Sequence, residues 1–430
     1  MSYSQQKAPQ REIISWAMYD FANSGYTTVV LTAVFNAYFV GVIAHESNNG
    51  DATLIWTINI AIANLLVLLT APIIGAIADH SVLKKRFLAI TTVGCVLFTA
   101  ALATTGPGDV WLASILIILS ALLFHSGENL ISAFLPEIST PENMGRTSAF
   151  GWTIGYIGGL IVLGLCLLYV NYAQSKGESA DQFVPVTMLI VAAAFGLSSL
   201  PTFLWLKERG KQHPRDNISF VSIGFQRLRN TFTHARHFQD LFRFLITVFI
   251  YHCGIQTVVV LAAIYAQEVM GFTTQDSIVL ILIVNITAAI GAFLFGRIQD
   301  KIGSKTTLFM TLTLWIVALV FAFFTEDRFS FWIVANLVGL SLGASQSAGR
   351  ALVGIFSPVE RSGEFFGLWG LATKLSAVVG PLVYGLITSL SGGNHRYALL
   401  TTALFFVLGM LMLITVDENR GKEAAASIHE

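Results

Sequence analysis

Charge is the scarcest thing in this sequence. Only 12% of its 430 residues are Asp, Glu, Lys or Arg, against about 25% in soluble domains. A water-facing surface cannot be made at that density, so a soluble globular protein is excluded. Neither sign prevails, with 25 bases and 25 acids, so net charge by itself says nothing about partners; no nucleic-acid partner is expected. Cysteine is nearly absent. Cys95, Cys166 and Cys253 lie far apart in apolar stretches, which leaves them as small core side chains, with neither a disulfide framework nor a metal site. His125 and His252 stand alone, and no H-x-x-x-H occurs. Without a metal-spaced histidine cluster, paired catalytic carboxylates or a Ser/His constellation, no enzyme, cofactor or metal is expected. No Walker sequence is present, so ATP does not drive the protein directly. The polar residues 1–12 run into an apolar stretch too long for a signal h-region, and no cleavable signal peptide is expected.

Hydrophobic residues fill the chain instead, 54% of the total. They gather into twelve stretches long enough to cross a bilayer. Lipid offers the backbone no hydrogen-bond partner, so each stretch must be a helix. The fold class is therefore an all-α polytopic membrane protein. Spans are expected at 14–42, 53–78, 86–105, 110–135, 147–171, 184–206, 242–267, 277–298, 305–325, 330–352, 365–390 and 397–416. One set of connections carries Lys84, Lys85, Arg86, the bases of 207–236, Arg297, Lys301, Lys305 and Arg361. The opposite set carries only Lys176, Arg328 and Arg396. The positive-inside bias makes the first set cytoplasmic, and both termini with it. The one long connection, 207–240, separates an N-terminal six-helix bundle (1–206) from a C-terminal one (241–418), which a tail follows at 419–430. Within the connection, Phe220, Ile223, Leu228 and Phe232 recur at nearly helical spacing around Arg227, Arg229 and Arg236. They read as an amphipathic helix on the cytoplasmic surface, a lipid contact or a linker packed under the bundle.

The two bundles echo each other. Gly75-Ala-Ile-Ala-Asp79 closes the second span, and Gly296-Arg-Ile-Gln-Asp300-Lys301-Ile-Gly303-Ser-Lys305 closes the eighth, 221 residues later. Pro136-Glu137 after the fourth span matches Pro358-Val-Glu360 after the tenth. Gly145 to Trp152 corresponds to Gly363 to Trp369, and Thr28-Val-Val-Leu31 to Val258-Val-Val-Leu261. Halves of six helices in one orientation are parallel repeats about an axis along the membrane normal. With the G-x-x-x-D-K-x-G-x-K loop, the chain resembles the major facilitator superfamily. The first copy departs from that loop: His80 stands where a base is expected and Val82 where the second glycine is. A narrower resemblance rests on Trp16-Ala-Met-Tyr-Asp20-Phe-Ala-Asn23, Leu135-Pro-Glu-Ile, Phe150-Gly-Trp-Thr-Ile-Gly-Tyr-Ile-Gly159 and Gln346-Ser-Ala-Gly-Arg350 with Lys374. There the chain is similar to the unknown major facilitator family, which resembles the autophagy-related vacuolar amino-acid effluxers of fungi. Its short loops are those of bacterial members, which implies a bacterial inner membrane.

Four ionisable residues lie deep in spans: Asp20, Glu128, Arg350 and Lys374. Each costs about 2.5–3.5 kcal/mol on insertion scales, so each must face protein or water. The resemblance puts their helices at the central cavity. Two readings stay open. They form a gate in which Glu128 and Asp20 pair with Arg350 and Lys374. Or the bases hold a substrate carboxylate while an acid faces an ammonium group. His125, Glu128 and His252 are candidates for a proton relay. Asn23, Asn129, Asn285, Gln256, Gln346, Tyr19, Trp152, Tyr156, Tyr251 and Trp369 are candidate cavity residues. Gly155, Gly158 and Gly159 read as a helix-packing surface rather than a nucleotide loop.

The expected function is a secondary active transporter working by alternating access. Its expected cargo is a small polar metabolite, an amino acid or related carboxylate. Export follows from the resemblance alone, and proton coupling is a separate expectation. A lipid flippase or a non-transporting receptor on the same fold is the alternative. The expected partners are the small-molecule substrate, protons and membrane lipids, with the chain acting as a monomer.

Overall fold

The computed structural model describes residues 8–44, 51–209 and 238–427. Among them, twelve helices are long and apolar enough to span a bilayer, and there is no strand. We number them α1 (Gln10–Ile43), α2 (Asp51–Ser81), α3 (Lys84–Ala101), α4 (Val110–Ser132), α5 (Met144–Ser175) and α6 (Ala180–Trp205). The second half holds α7 (Gln239–Glu268), α8 (Thr274–Ile302), α9 (Ser304–Phe324), α10 (Arg328–Phe356), α11 (Ser362–Leu390) and α12 (His395–Ile414). A short α13 (Glu418–Ala426) follows. Every expected span is present, with ends displaced by a few residues. Caps explain some of those ends. Ser179 with Gln182 starts α6, Asp327 accepts the Ser330 amide of α10, and Asn394 accepts two amides of α12.

The first helix is not uniform. It is α-helical to Tyr26, π-helical over Thr27–Ala33, α-helical over Phe35–Tyr38 and π-helical again over Phe39–Ile43. Most of the expected tail is helical. Asp417 accepts the Asn419 and Arg420 amides and so nucleates α13. The glycine at 421 lies against Phe356, and Lys422 reaches Glu142 of the first half at 3.5 Å. The expected amphipathic helix over 220–236 lies outside the described residues.

The halves meet along two long seams, α2 with α11 and α5 with α8, and α10 crosses α5. The first seam is close enough to require glycine. A Cβ at Gly75 would run into the Gly363 carbonyl. The starts of α1 and α7 and the ends of α6 and α12 share one face, here the terminal face. Seam contacts concentrate there and reach inward to the middle of the bundle.

Candidate transport site

The middle of α10 decides what its arginine can do. From Ser341 to Phe356 every residue but the half-buried Gln346 is buried, and Arg350 itself is 2% exposed, so the guanidinium is almost shut off from water. Its donors must be met by protein. Arg350 Nη1 donates to Asp20 Oδ2 at 2.8 Å, Nη2 to the Ser148 carbonyl at 2.8 Å and Nε to Ser148 Oγ at 3.2 Å. The Trp16 ring lies 4.7 Å from it and the Trp152 ring 5.1 Å. The side chains of Arg350 and Asp20 are 3% and 10% exposed. Residue 151 is glycine because a Cβ there would overlap both Asp20 Oδ2 and Arg350 Nη2. The pair therefore joins α1 to α10 through a slot cut in α5, and its geometry leaves Arg350 little to offer a ligand.

The other pair is built differently. Lys374 of α11 meets Glu128 of α4 at 3.4 Å, with side chains 15% and 29% exposed. The same Glu128 Oε2 lies 3.2 Å from His125 Nδ1 one turn away. Glu128 is thus shared between a base on its own helix and one on the opposite half. Lys374 has this single hydrogen bond among the described residues, so two of its three ammonium hydrogens are uncommitted.

Around these pairs the structure gathers polar atoms without protein partners. They are Asn23 Oδ1 on α1, Asn129 Nδ2 on α4, Trp152 Nε1 on α5, His252 Nδ1 on α7 and Trp369 Nε1 on α11. Asn129 packs on Gly370, one turn from Lys374. Buried groups of this kind are normally satisfied, so their presence on five helices is a feature of the site. Tyr156 of α5 donates across the halves to Gln346 of α10. Gln256 is half-buried on α7, and Asn285 turns its amide back to the Ile281 carbonyl of its own helix.

Two expected aromatics are elsewhere. Tyr19 is inside the first half, its hydroxyl 2.7 Å from Thr92 Oγ1 and its ring against Phe195 and Phe203. It lies three residues after Trp16 and one before Asp20, and that 100° rotation turns it away from the seam. Tyr251 is buried in the second half, with its hydroxyl beside Gly349 and its Cβ beside Gly409. The residues missed from sequence are Trp16, Ser148 and Gly151. Only the Gly-Trp step at 151–152 carried a signal, a glycine inside a span directly opposite two expected ions.

At the terminal face the loop motifs act as caps across the seam. Asp79 accepts the Gly363 and Glu364 amides at 3.0 and 2.9 Å, which are the first free donors of α11. Lys84 lies 3.4 Å from Asp79, pairs with Glu137 and donates to Ser362 Oγ at 3.0 Å. Asp300 accepts the Arg146 amide at the start of α5 at 3.1 Å. Lys301 is exposed, and Gly303 takes a positive φ of 89°.

Each half is also pinned by a clamp. Arg209 grips Glu12 with two bonds of 2.6 and 2.8 Å, and Arg420 grips Asp240 with bonds of 2.5 and 2.7 Å. Glu208 accepts the Lys84 and Lys85 amides, and Glu418 accepts those of Ser304 and Lys305. Burial pushes the Glu208 carboxyl above the usual carboxylate range, and the two amides oppose it. The sequence signal was a further repeat, Lys207-Glu208-Arg209 against Asp417-Glu418-Asn419-Arg420, with its glutamates 210 residues apart.

Comparison with known proteins fits this geometry. Residues 50–426 match the family described as vacuole effluxer Atg22 like. An uncharacterised major-facilitator-type transporter of Bacillus subtilis, YxiO, is 28% identical, with 96% of each chain covered. Autophagy-related protein 22 of Saccharomyces cerevisiae is 26% identical over 66% of this chain and 59% of its own. Relative to such fungal proteins the chain spans about half to three-fifths of their length. Among solved structures, the proton:xylose symporter XylE superposes with a TM-score of 0.74 at 15% identity, covering 97% of this chain and 98% of that one. The human organic anion transporter MFSD10 gives 0.69 at 14% identity, covering 94% and 99%. The fold is that of the major facilitator superfamily.

Proposed function

The chain belongs to the Atg22-like vacuole effluxer family, and on that premise we propose that it exports an amino acid or related carboxylate by alternating access. The observation that carries this reading is the contrast between its two cross-half ion pairs. Arg350 commits three of its five N–H groups to Asp20 and Ser148 and is covered by the Trp16 and Trp152 rings. Lys374 keeps uncommitted hydrogens beside a half-open carboxylate. A substrate carboxylate competes with Glu128 for Lys374 and takes further donors from Trp369 and Asn129. The displaced Glu128 then faces an ammonium group or accepts a proton, with His125 as its exchange partner. His252 lies within electrostatic range of both Glu128 and Lys374 and extends that relay.

The Asp20–Arg350 pair is the fixed point in this cycle, and the Asp79 and Asp300 caps are the doors. The basic connections place the terminal face in the cytoplasm of a bacterial plasma membrane. The conformation sealed at that face is then the outward one, and substrate loading requires the caps to part. One chain contains the whole pathway, so the monomer is the working unit.

Counterflow in proteoliposomes tests the proposal. Lys374→Ala abolishes flux of the solute that wild type carries, at equal insertion and with an unchanged thermal profile without substrate. Glu128→Gln keeps exchange but loses acceleration by an imposed pH gradient. Undiminished flux in Lys374→Ala refutes the site. Wild-type flux that ignores the gradient refutes the coupling alone.

A further inference from the structure

The second half carries a polar cleft. It opens on the terminal face between the start of α7, the α8–α9 turn and the end of α12, with a volume of about 630 Å³. Liquid water takes about 30 Å³ per molecule, so the cleft has room for on the order of 20 waters and far exceeds one phosphate. Arg243, Lys305 and Arg420 edge it, with Asp417 and Glu418 among them. The acids are engaged internally. Glu418 spends both oxygens on the Ser304 and Lys305 amides, and Asp417 caps α13 through Oδ1. The bases are not exhausted among the described residues. Arg243 donates only Nη1, to the Thr415 carbonyl, and Arg420 uses Nε and Nη2 on Asp240. Lys305 Nζ donates to the Ile414 and Val416 carbonyls and Asp240 balances Arg420, so what the lining presents is the surplus N–H donors of Arg243 and Arg420.

Two apolar side chains border this polar cleft. Ile302 and Ile414 also line it, at the last turns of α8 and α12, and are 42% and 59% exposed. Both are the final residues of their spans, where acyl chains give way to headgroups. A ligand in the cleft thus meets cations on one side and hydrocarbon on the other. The clamp architecture does not force this opening. In the first half the position 210 residues before Thr415 is Trp205, which lies under the Arg11 guanidinium at 3.9 Å from its ring.

We propose that the cleft binds the phosphate of an anionic phospholipid in the leaflet at the terminal face, with its chains running past Ile302 and Ile414. The bound lipid ties the start of α7, which the Asp240–Arg420 clamp already holds to α13, to α9 and α12.

Thermal unfolding of the full chain in detergent tests this with phosphatidylglycerol, phosphatidylcholine and inorganic phosphate as separate additions. Phosphatidylglycerol raises the melting temperature in a concentration-dependent way, and the other two do not. Arg243→Ala weakens the apparent affinity about fivefold, the worth of one base near an anionic headgroup. Thr415→Trp, which imports the first half's residue at an exposed position and leaves every charge in place, removes the phosphatidylglycerol effect. Equal shifts with both lipids overturn the proposal, as does a full shift in Thr415→Trp. A shift reproduced by inorganic phosphate alone overturns the lipid as its source.

Discussion

Asp79 and Asp300 stand at equivalent places in the repeat, and each caps a helix of the opposite half, yet their surroundings are opposite. Asp79 and its partner Lys84 are almost wholly buried, with Glu137 and Ser362 completing the cluster. Asp300 is 18% exposed and its partner Arg146 60% exposed, at a loose 3.8 Å. The copy that departs from the superfamily loop is therefore the dry one. Its base is not beside the aspartate, where His80 stands, but five residues on, at the start of α3. The copy that keeps the pattern is the wet one, and its Lys301 points to solvent. Backbone geometry repeats the contrast. Val82 adopts φ 52° where Gly303 adopts 89°, and a β-branched residue there is strained. Motif fidelity thus did not track how tightly the seam is held. Burial did, because a cluster removed from water loses far more when one member goes.

The largest effect should come from the dry copy. Lys84→Ala leaves two buried carboxylates without their cation and costs roughly 3–5 kcal/mol. Thermal unfolding should show it as a drop of several degrees, and a comparable drop in Arg146→Ala would erase the contrast. Next is Gly75→Ala, whose methyl meets the Gly363 carbonyl. It should hold the terminal face open, so that a cysteine at Ser362 reacts with a soluble maleimide at least several-fold faster than in an otherwise wild-type chain. Unchanged labelling would mean that the seam yields elsewhere. Arg146→Ala should cost less than about 1 kcal/mol, as exposed pairs do. The smallest effect is a gain: Val82→Gly relieves about 1–2 kcal/mol of left-handed strain, less about 0.5–1 kcal/mol of glycine entropy. Gly303→Val should lose stability, and a gain there would show that the two turns are not equivalent.

The expected spans, the repeat and the four deep ions were legible because each rests on local information. A run of apolar residues is helical in lipid whatever its neighbours are, and a charge inside it must be accommodated somewhere. Tyr19 shows where this ends. It sits beside Asp20, but one residue of helix rotation puts it in the core of the first half, bonded to Thr92. The clamps at Arg209 and Arg420 were written in a repeat too short to stand out before their partners Glu12 and Asp240 were seen beside them.

From sequence alone came the membrane, the twelve helices, the two matched halves and a set of charges that needed partners. Only the tertiary structure decided which acid met which base: Asp20 with Arg350 across 330 positions, and Glu128 with Lys374 across 246. Hydrophobicity acts on each stretch separately and so can be read in order along the chain. Ion pairing depends on how each helix is rotated and how close the two halves pack, and no single stretch holds that information.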